Sequence, residues 1–191
     1  MTIPDSNSNE PVDRLVRAPE TQTRKKRLPH LGLMIGLASG VTILDVVTKE
    51  IARTRLVPEH LPRELIGDFF RLTLVYNPGA AFGLNVGAYS RSIFTVLTIV
   101  AMWVLIKLYR STAEGDRVRV AALGLVIGGA LGNLINRFWS ERGVVDFLDI
   151  GLGSSRWPTF NFADVGVSVG AFLLAWVLWG EDQKVGRPAK V

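Results

Sequence analysis

The chain alternates between long apolar blocks and short charged stretches. Four blocks are almost free of charge. Leu31–Val47 carries only Asp45, near its far end, and Ser92–Leu108 carries only Lys107. Val120–Ile135 carries no charge, and Phe162–Trp179 carries only Asp164, near its start. Each block runs 16–18 residues, slightly under the ~20 of a full bilayer crossing. Flanking Arg, Lys and Trp side chains can snorkel or anchor to extend such spans. A different period stands between the first two blocks. Phe70, Leu72, Leu74 and Tyr76 alternate with Arg71, Thr73 and Val75, the rhythm of a half-buried strand. Asn77-Pro78-Gly79 ends that run with a turn. The pattern predicts an all-α membrane protein: a four-transmembrane-helix bundle over residues 28–180, with a small extracytoplasmic β-sheet lying on the membrane surface.

The ends read differently. Residues 1–27 are polar and close on Arg24-Lys25-Lys26-Arg27, which reads as a disordered basic tail. Residues 181–191 read as a second, C-terminal tail. Leu31–Val47 follows the basic run as a signal-peptide core would, but it lacks a small-residue cleavage site and further spans follow. It is read as a retained helix.

Composition sharpens this picture. The 191 residues are 48% hydrophobic and 20% charged, with a net charge of +5. The charges sit between the apolar blocks, which is the segregation a bilayer demands. The basic residues flank the blocks, and no zinc-finger spacing or basic helix points to nucleic acid. Of 22 Lys and Arg, 13 fall in the N-terminal tail, in residues 107–119 and in the C-terminal tail. That side is expected to be cytoplasmic, with both termini inside and residues 48–91 and 136–161 outside. No cysteine is present, so disulfides, thiol nucleophiles and thiolate metal sites are excluded. His30 and His60 lie far apart and read as loop histidines. Gly124, Gly128 and Gly132, and Gly166 with Gly170, recur every four residues and read as close-packing helix faces.

Five short polar motifs fall on the expected outer side. Asp45 and Lys49 stand one helical turn apart, within ion-pair reach. Asn77 opens Asn77-Pro78-Gly79-Ala80-Ala81-Phe82-Gly83. Asn133, Asn136 and Arg137 share a helix face at i, i+3 and i+4, a face expected to point into the bundle. Glu141 stands one turn beyond Arg137 if the helix extends that far. Val144-Val145-Asp146-Phe147 and Asn161-Phe162-Ala163-Asp164 complete the set, the second with Asn161 and Asp164 at i, i+3. No histidine or cysteine is available there, and Ser168 has no adjacent base. What remains is a carboxyl pair, Asp146 and Asp164. Two adjoining aspartates share a proton, so one can take a proton from water while the other donates to a carbonyl oxygen. No metal or other cofactor is required. On spacing alone, two solvated interfacial charges are an equal alternative; a non-enzymatic polytopic protein, such as a transporter or assembly subunit, whose outer carboxylates bind a cation is a second class of reading.

Taken in order, the five motifs closely resemble the boxes of lipoprotein signal peptidase, also called signal peptidase II, over roughly residues 30–180. The resemblance implies a four-helix bacterial membrane aspartic endopeptidase. Its substrates would be prolipoproteins carrying a diacylglyceryl cysteine, cut just before that cysteine. It implies Asp146 and Asp164 as the catalytic pair. It gives supporting polar roles to Asp45, Asn133, Arg137 and Asn161, and its boxes also contain Lys49, Asn77 and Asn136. It further implies an inner-membrane location, contact with membrane lipids, a lipopeptide-cradling sheet near residues 68–76 and inhibition by globomycin-type peptides. One box departs: the family usually has Asn-x-x-Asp-Arg where this chain has Asn136 before Arg137. A degenerate relative that binds lipopeptides without cutting them is the alternative this departure raises.

Overall fold

The computed structural model describes residues 28–78 and 87–185. Both expected tails lie outside these residues but for the start of the C-terminal one, and so do Gly79 to Gly83 of the second motif. Four long helices form the body. They are α1 (Leu31–Arg55), α2 (Ser90–Ser111), α3 (Arg117–Trp139) and α4 (Phe162–Val185). All four are long and apolar enough to cross a membrane. They run 25, 22, 23 and 24 residues, longer than the apolar blocks that announce them. The excess is polar. In α1 the helix continues from Thr48 through Arg55, about 12 Å at 1.5 Å per residue.

α3 is the central helix. Half of its apolar stretch is buried, whereas hardly any of that of α2 is. Its packing rests on the small residues. A Cβ at Gly128 would run into the Ala38 backbone of α1, and one at Gly129 would run into the Ala163 backbone of α4. α3 therefore meets α1 and α4 backbone to backbone, as the four-residue glycine spacing predicts. Thr42 Oγ1 donates to the Gly128 carbonyl at 3.0 Å. At the end of the bundle holding Leu31, Ser111 and Arg117, Asp116 caps α3 by accepting from Arg119 N at 2.9 Å, and Arg119 also pairs with Glu181. Trp176 and Trp179 are exposed on the last turns of α4, and Trp139 and Trp157 at the opposite end. This matches the two aromatic belts of a membrane protein.

That opposite end carries the sheet. Strands β1 (Arg63–Ile66), β2 (Phe70–Asn77), β3 (Val144–Leu152) and β4 (Ser155–Arg156) are ordered 1-2-3-4, each pair antiparallel. The β2–β3 register pairs Val75 with Asp146, Tyr76 with Val145 and Asn77 with Val144. Leu74, Val145, Phe147 and Leu148 pack with Ala52 and Leu56 from the end of α1. The Phe147 and Phe162 rings lie 6.0 Å apart, tying the sheet to α4. β2 is the strand the alternation predicts. β3 is buried on both faces from Val144 to Asp149, and only its end emerges. Its apolar run therefore carries no alternation.

The sheet also holds an ion cluster. Asp149 on β3 accepts from Thr73 Oγ1 at 2.8 Å, Arg71 Nε at 3.2 Å and Arg156 Nε at 2.5 Å. Arg71 bonds Asp68 as well, at 2.8 Å. Burial raises the Asp149 pKa, but these hydrogen bonds and the charges of Arg156 and Arg71 outweigh it, so the carboxyl sits below its ordinary range.

Candidate active site

Asp45 and Lys49 form the buried floor of the site. They stand on one face of α1 and pair at 2.7 Å, with side chains 0% and 4% exposed. The expected ion pair is therefore present, and it is enclosed. The other oxygen of Asp45 accepts from Ala163 N at 2.8 Å, capping the first turn of α4 from a different helix. No room exists at Gly132 for a side chain, because a Cβ there would collide with Asp45 Oδ2.

Above this floor lies a hydrogen-bonded chain of amides. Lys49 Nζ donates to Asn133 Oδ1 at 2.7 Å. Asn133 Nδ2 donates to Asp164 Oδ1 at 2.8 Å. Asn161 directly precedes α4. Its Oδ1 accepts from Asp164 N at 3.1 Å, and Asp164 Oδ2 accepts from Asn161 N at 3.1 Å. This reciprocal arrangement is a capping box with aspartate in the third position. Asn161 and Asp164 do not merely share a face; they close the start of the helix together. Asn161 Nδ2 then reaches Asp146 Oδ1 at 2.6 Å. A single asparagine thus joins the two aspartates, one through its backbone and the other through its side chain. Asn77 Nδ2 donates to Asp146 Oδ2 at 3.2 Å.

Asp146 and Asp164 line one cavity of about 320 Å³, with Asn133 and Arg137 on one side and Trp157 and Phe160 on the other. Asp146 is 3% exposed. Burial, and after it the negative charge of Asp164, push its pKa up to about 7, against the opposing hydrogen bonds from Asn161 and Asn77 and the charge of Lys49. A carboxyl in that range holds a proton at neutral pH and can release it.

The third motif behaves differently from its expected single face. Asn133 and Arg137 turn toward this cavity. Asn136 turns away, and its Oδ1 accepts from Val145 N at 2.7 Å. β3 wedges between the two directions. Asn136 therefore pairs with the strand that carries Asp146 rather than with its neighbour Arg137. Glu141 is no partner for Arg137 either, because α3 ends at Trp139 and Ser140 is its C-cap. Among the described residues Arg137 makes no ion pair, and its buried Nε has no hydrogen-bond partner. Its carbonyl accepts from Arg91 Nε of α2 at 2.7 Å. Arg91 and the Trp157–Phe160 segment carry no motif that marks them in the sequence.

Four membrane-spanning helices with two aspartates lining one cavity at one end define a polytopic membrane protein with a candidate carboxyl-pair site. Comparison with known proteins narrows the class. The sequence profile of the signal peptidase (SPase) II family, peptidase A8, matches residues 37–180. The lipoprotein signal peptidase of Maridesulfovibrio salexigens is 41% identical over 145 residues, covering 74% of this chain and 92% of that protein. That of Moorella thermoacetica is 41% identical over 152 residues, covering 79% and 95%. That of Mycolicibacterium smegmatis is 40% identical over 196 aligned residues, covering 98% of this chain and 78% of the relative, so its alignment takes in most of the polar N-terminal tail. A bacterial membrane enzyme determined by the in meso method at 2.3 Å resolution superposes with a TM-score of 0.74 at 29% identity, over 87% of this chain and 98% of that one. A second, at 1.9 Å resolution, gives 0.70 at 32% identity, over 80% and 96%. The chain belongs to the signal peptidase II family, and it is a multi-pass membrane peptidase.

Proposed function

We propose that this chain is an aspartic endopeptidase that removes signal peptides from diacylglyceryl-modified prolipoproteins, cutting just before the lipidated cysteine. The observation that carries the reading is the junction at Asn161, which bonds both Asp146 and Asp164 in one cavity. Asp146 holds the shared proton up to about pH 7, leaving Asp164 as the base. Asp164 takes a proton from water as its oxygen attacks the scissile carbonyl carbon, and Asp146 gives its proton to the carbonyl oxygen. The tetrahedral intermediate collapses when Asp164 protonates the leaving amine and Asp146 recovers the proton from the hydroxyl. Asn133 and Asn161 hold the pair in register. Asp45 and Lys49 brace it from below, and Arg137 and Asn77 face the substrate.

The distribution of Lys and Arg supports a site on the extracytoplasmic face of the inner membrane, with both termini cytoplasmic. A substrate lying in the same leaflet then brings its acyl chains to the bundle, at ~0.8 kcal/mol per buried CH₂. Globomycin-type peptides are the expected inhibitors. The departure at Asn136 does not favour a binding-only relative, since that amide reaches Val145 and leaves the carboxyl pair untouched.

The test is a gel-shift assay on a diacylglyceryl prolipoprotein. Asp146→Asn and Asp164→Asn should each abolish the shift while the protein remains folded in detergent. The unlipidated prolipoprotein should be cut far more slowly by the native chain. Substantial turnover in either variant removes the dyad assignment, and equal rates on the two substrates remove the lipid requirement.

A further inference from the structure

A second, larger cavity of about 530 Å³ opens between α1 and α3. It lies on the other side of β3 from the carboxyl pair. Val145 and Tyr76, paired across the sheet, wall this cleft, whereas the next pair, Val144 and Asn77, walls the aspartate cavity. The cleft is graded along α1. Its deep end is apolar, formed by Val46, Gly132 and Ile135, and its rim carries Glu50, Arg53, Glu141 and Arg142. Seven residues separate Val46 from Arg53, about 10 Å along the helix axis. The outer side of α1 next to it, Ile43, Val47 and Ile51, is exposed on a span read as crossing the bilayer. The cleft therefore adjoins the surface read as facing lipid.

We propose that this cleft binds a zwitterionic phospholipid whose head group carries a primary ammonium, of the phosphatidylethanolamine class. Charge complementarity selects that occupant. The rim holds two carboxylates and two guanidiniums; with Arg142 paired to Glu59 and Arg53 to Glu50, Glu141 is left as one net negative charge. Arg53 bonds Glu50 through Nε and Nη2 at 2.8 and 2.7 Å, leaving Nη1 outside those bonds for a phosphate oxygen. Arg142 is held by Glu59 and lies over the Tyr76 ring at 3.9 Å. Lys49, on the inner wall, is already neutralised by Asp45. An anionic head group would add to the negative charge of this setting. A quaternary ammonium has no N–H to offer Glu50 and Glu141. A phosphate beside a primary ammonium meets both sets of groups. The occupant would touch Lys49, Asn136 and Val145, the groups that support the carboxyl pair from behind.

The test measures lipid retention without any cleavage, so its outcome is independent of the peptidase reading. The full chain in detergent is titrated with phosphatidylethanolamine, phosphatidylcholine and phosphatidylglycerol of identical acyl chains, and retained lipid is read by native mass spectrometry. Retention of the ethanolamine lipid should exceed that of the other two by about fivefold, the upper scale of an exposed charge pair. Stepwise N-methylation of the ethanolamine should lower retention step by step on the unaltered protein. In the variant Glu50→Gln with Glu141→Gln, retention should fall to within about twofold of the choline lipid. Equal retention of all three lipids, preference for the glycerol lipid, or no response to N-methylation would overturn the assignment. So would an ethanolamine preference that survives the double substitution.

Discussion

Lys49 fixes the orientation of the Asn133 carboxamide. Its Nζ donates to Oδ1 at 2.7 Å, so Nδ2 is the atom that faces Asp164, at 2.8 Å. Without Lys49 only the longer 3.2 Å bond from Asn161 Nδ2 to Oδ1 opposes a turn of the amide that would offer Asp164 an oxygen instead of an N–H. Removing Lys49 alone would strand Asp45, and breaking a buried ion pair costs about 3–5 kcal/mol. The informative variant is therefore Asp45→Asn with Lys49→Met, whose amide oxygen still accepts from Ala163 N. On a lipidated substrate kcat should fall by roughly 10- to 100-fold, the scale of a small misplacement of a reacting group. KM should stay within about twofold, because no substrate contact is removed. Unchanged kcat would mean that Asn133 holds its orientation without Lys49.

Two aspartates three residues apart on β3 should shift stability in opposite directions with pH. The Asp149 pKa is depressed, so its contribution is present above the ordinary value of 3.8 and is lost as pH falls through the folded value. Asp149→Asn should lower Tm at neutral pH, and the difference should narrow on acidification. The Asp146 pKa is raised from 3.8 to about 7, so the folded chain binds the extra proton and stability declines as pH rises across that window. Asp146→Asn abolishes the decline. Its Tm should exceed that of the native chain above pH 7, and the gain should vanish below 3.8. Thermal unfolding in detergent across pH checks both; parallel pH dependence in the two variants would contradict the geometry.

Gly132→Ala should destabilise the bundle although alanine is the better helix former by about 1 kcal/mol. The new Cβ has nowhere to go but into Asp45 Oδ2, and overpacking of that kind costs about 1–3 kcal/mol. Gly36→Ala on α1 is the control, since nothing lies within 4 Å of the added atom. A lower Tm at position 132 with an unchanged or higher one at position 36 is the expected pattern. A neutral Gly132→Ala would show that α1 can move away from α3.

Asn136→Asp should stabilise modestly and leave turnover within about threefold. The carboxylate keeps an acceptor for Val145 N and adds charge assistance, which roughly doubles such a bond. The gain should be about 0.5–1 kcal/mol, read as a small rise in Tm. An inert native chain switched on by this substitution would instead place Asn136 in the catalytic machinery.

Much of this architecture is legible in the sequence, and the gaps have identifiable causes. The four spans follow from charge-free blocks, and β2 follows from its alternation. β3 escapes because both of its faces are covered, so Val144 to Asp149 alternates nothing. β1 escapes because all four of its residues are exposed. The pairing of Asp45 with Lys49 is local and is read from spacing. The split between Asn136 and Arg137 is not local: it depends on a strand wedging beside α3, which no helical wheel records. The capping box at Asn161 and Asp164 has the right spacing, but its reach to Asp146 depends on β3 arriving from another part of the chain.

The bond from Asp45 to Ala163 N has a consequence for biogenesis. It joins the first span to the last, so the ribosome must release nearly the whole chain before it can form. A nascent chain halted after α3 already holds Asp45, Lys49 and Asn133, and one halted after β3 adds Asp146. Neither yet holds Asp164. On the proposed carboxyl-pair reading, cleavage then waits until the final helix has docked.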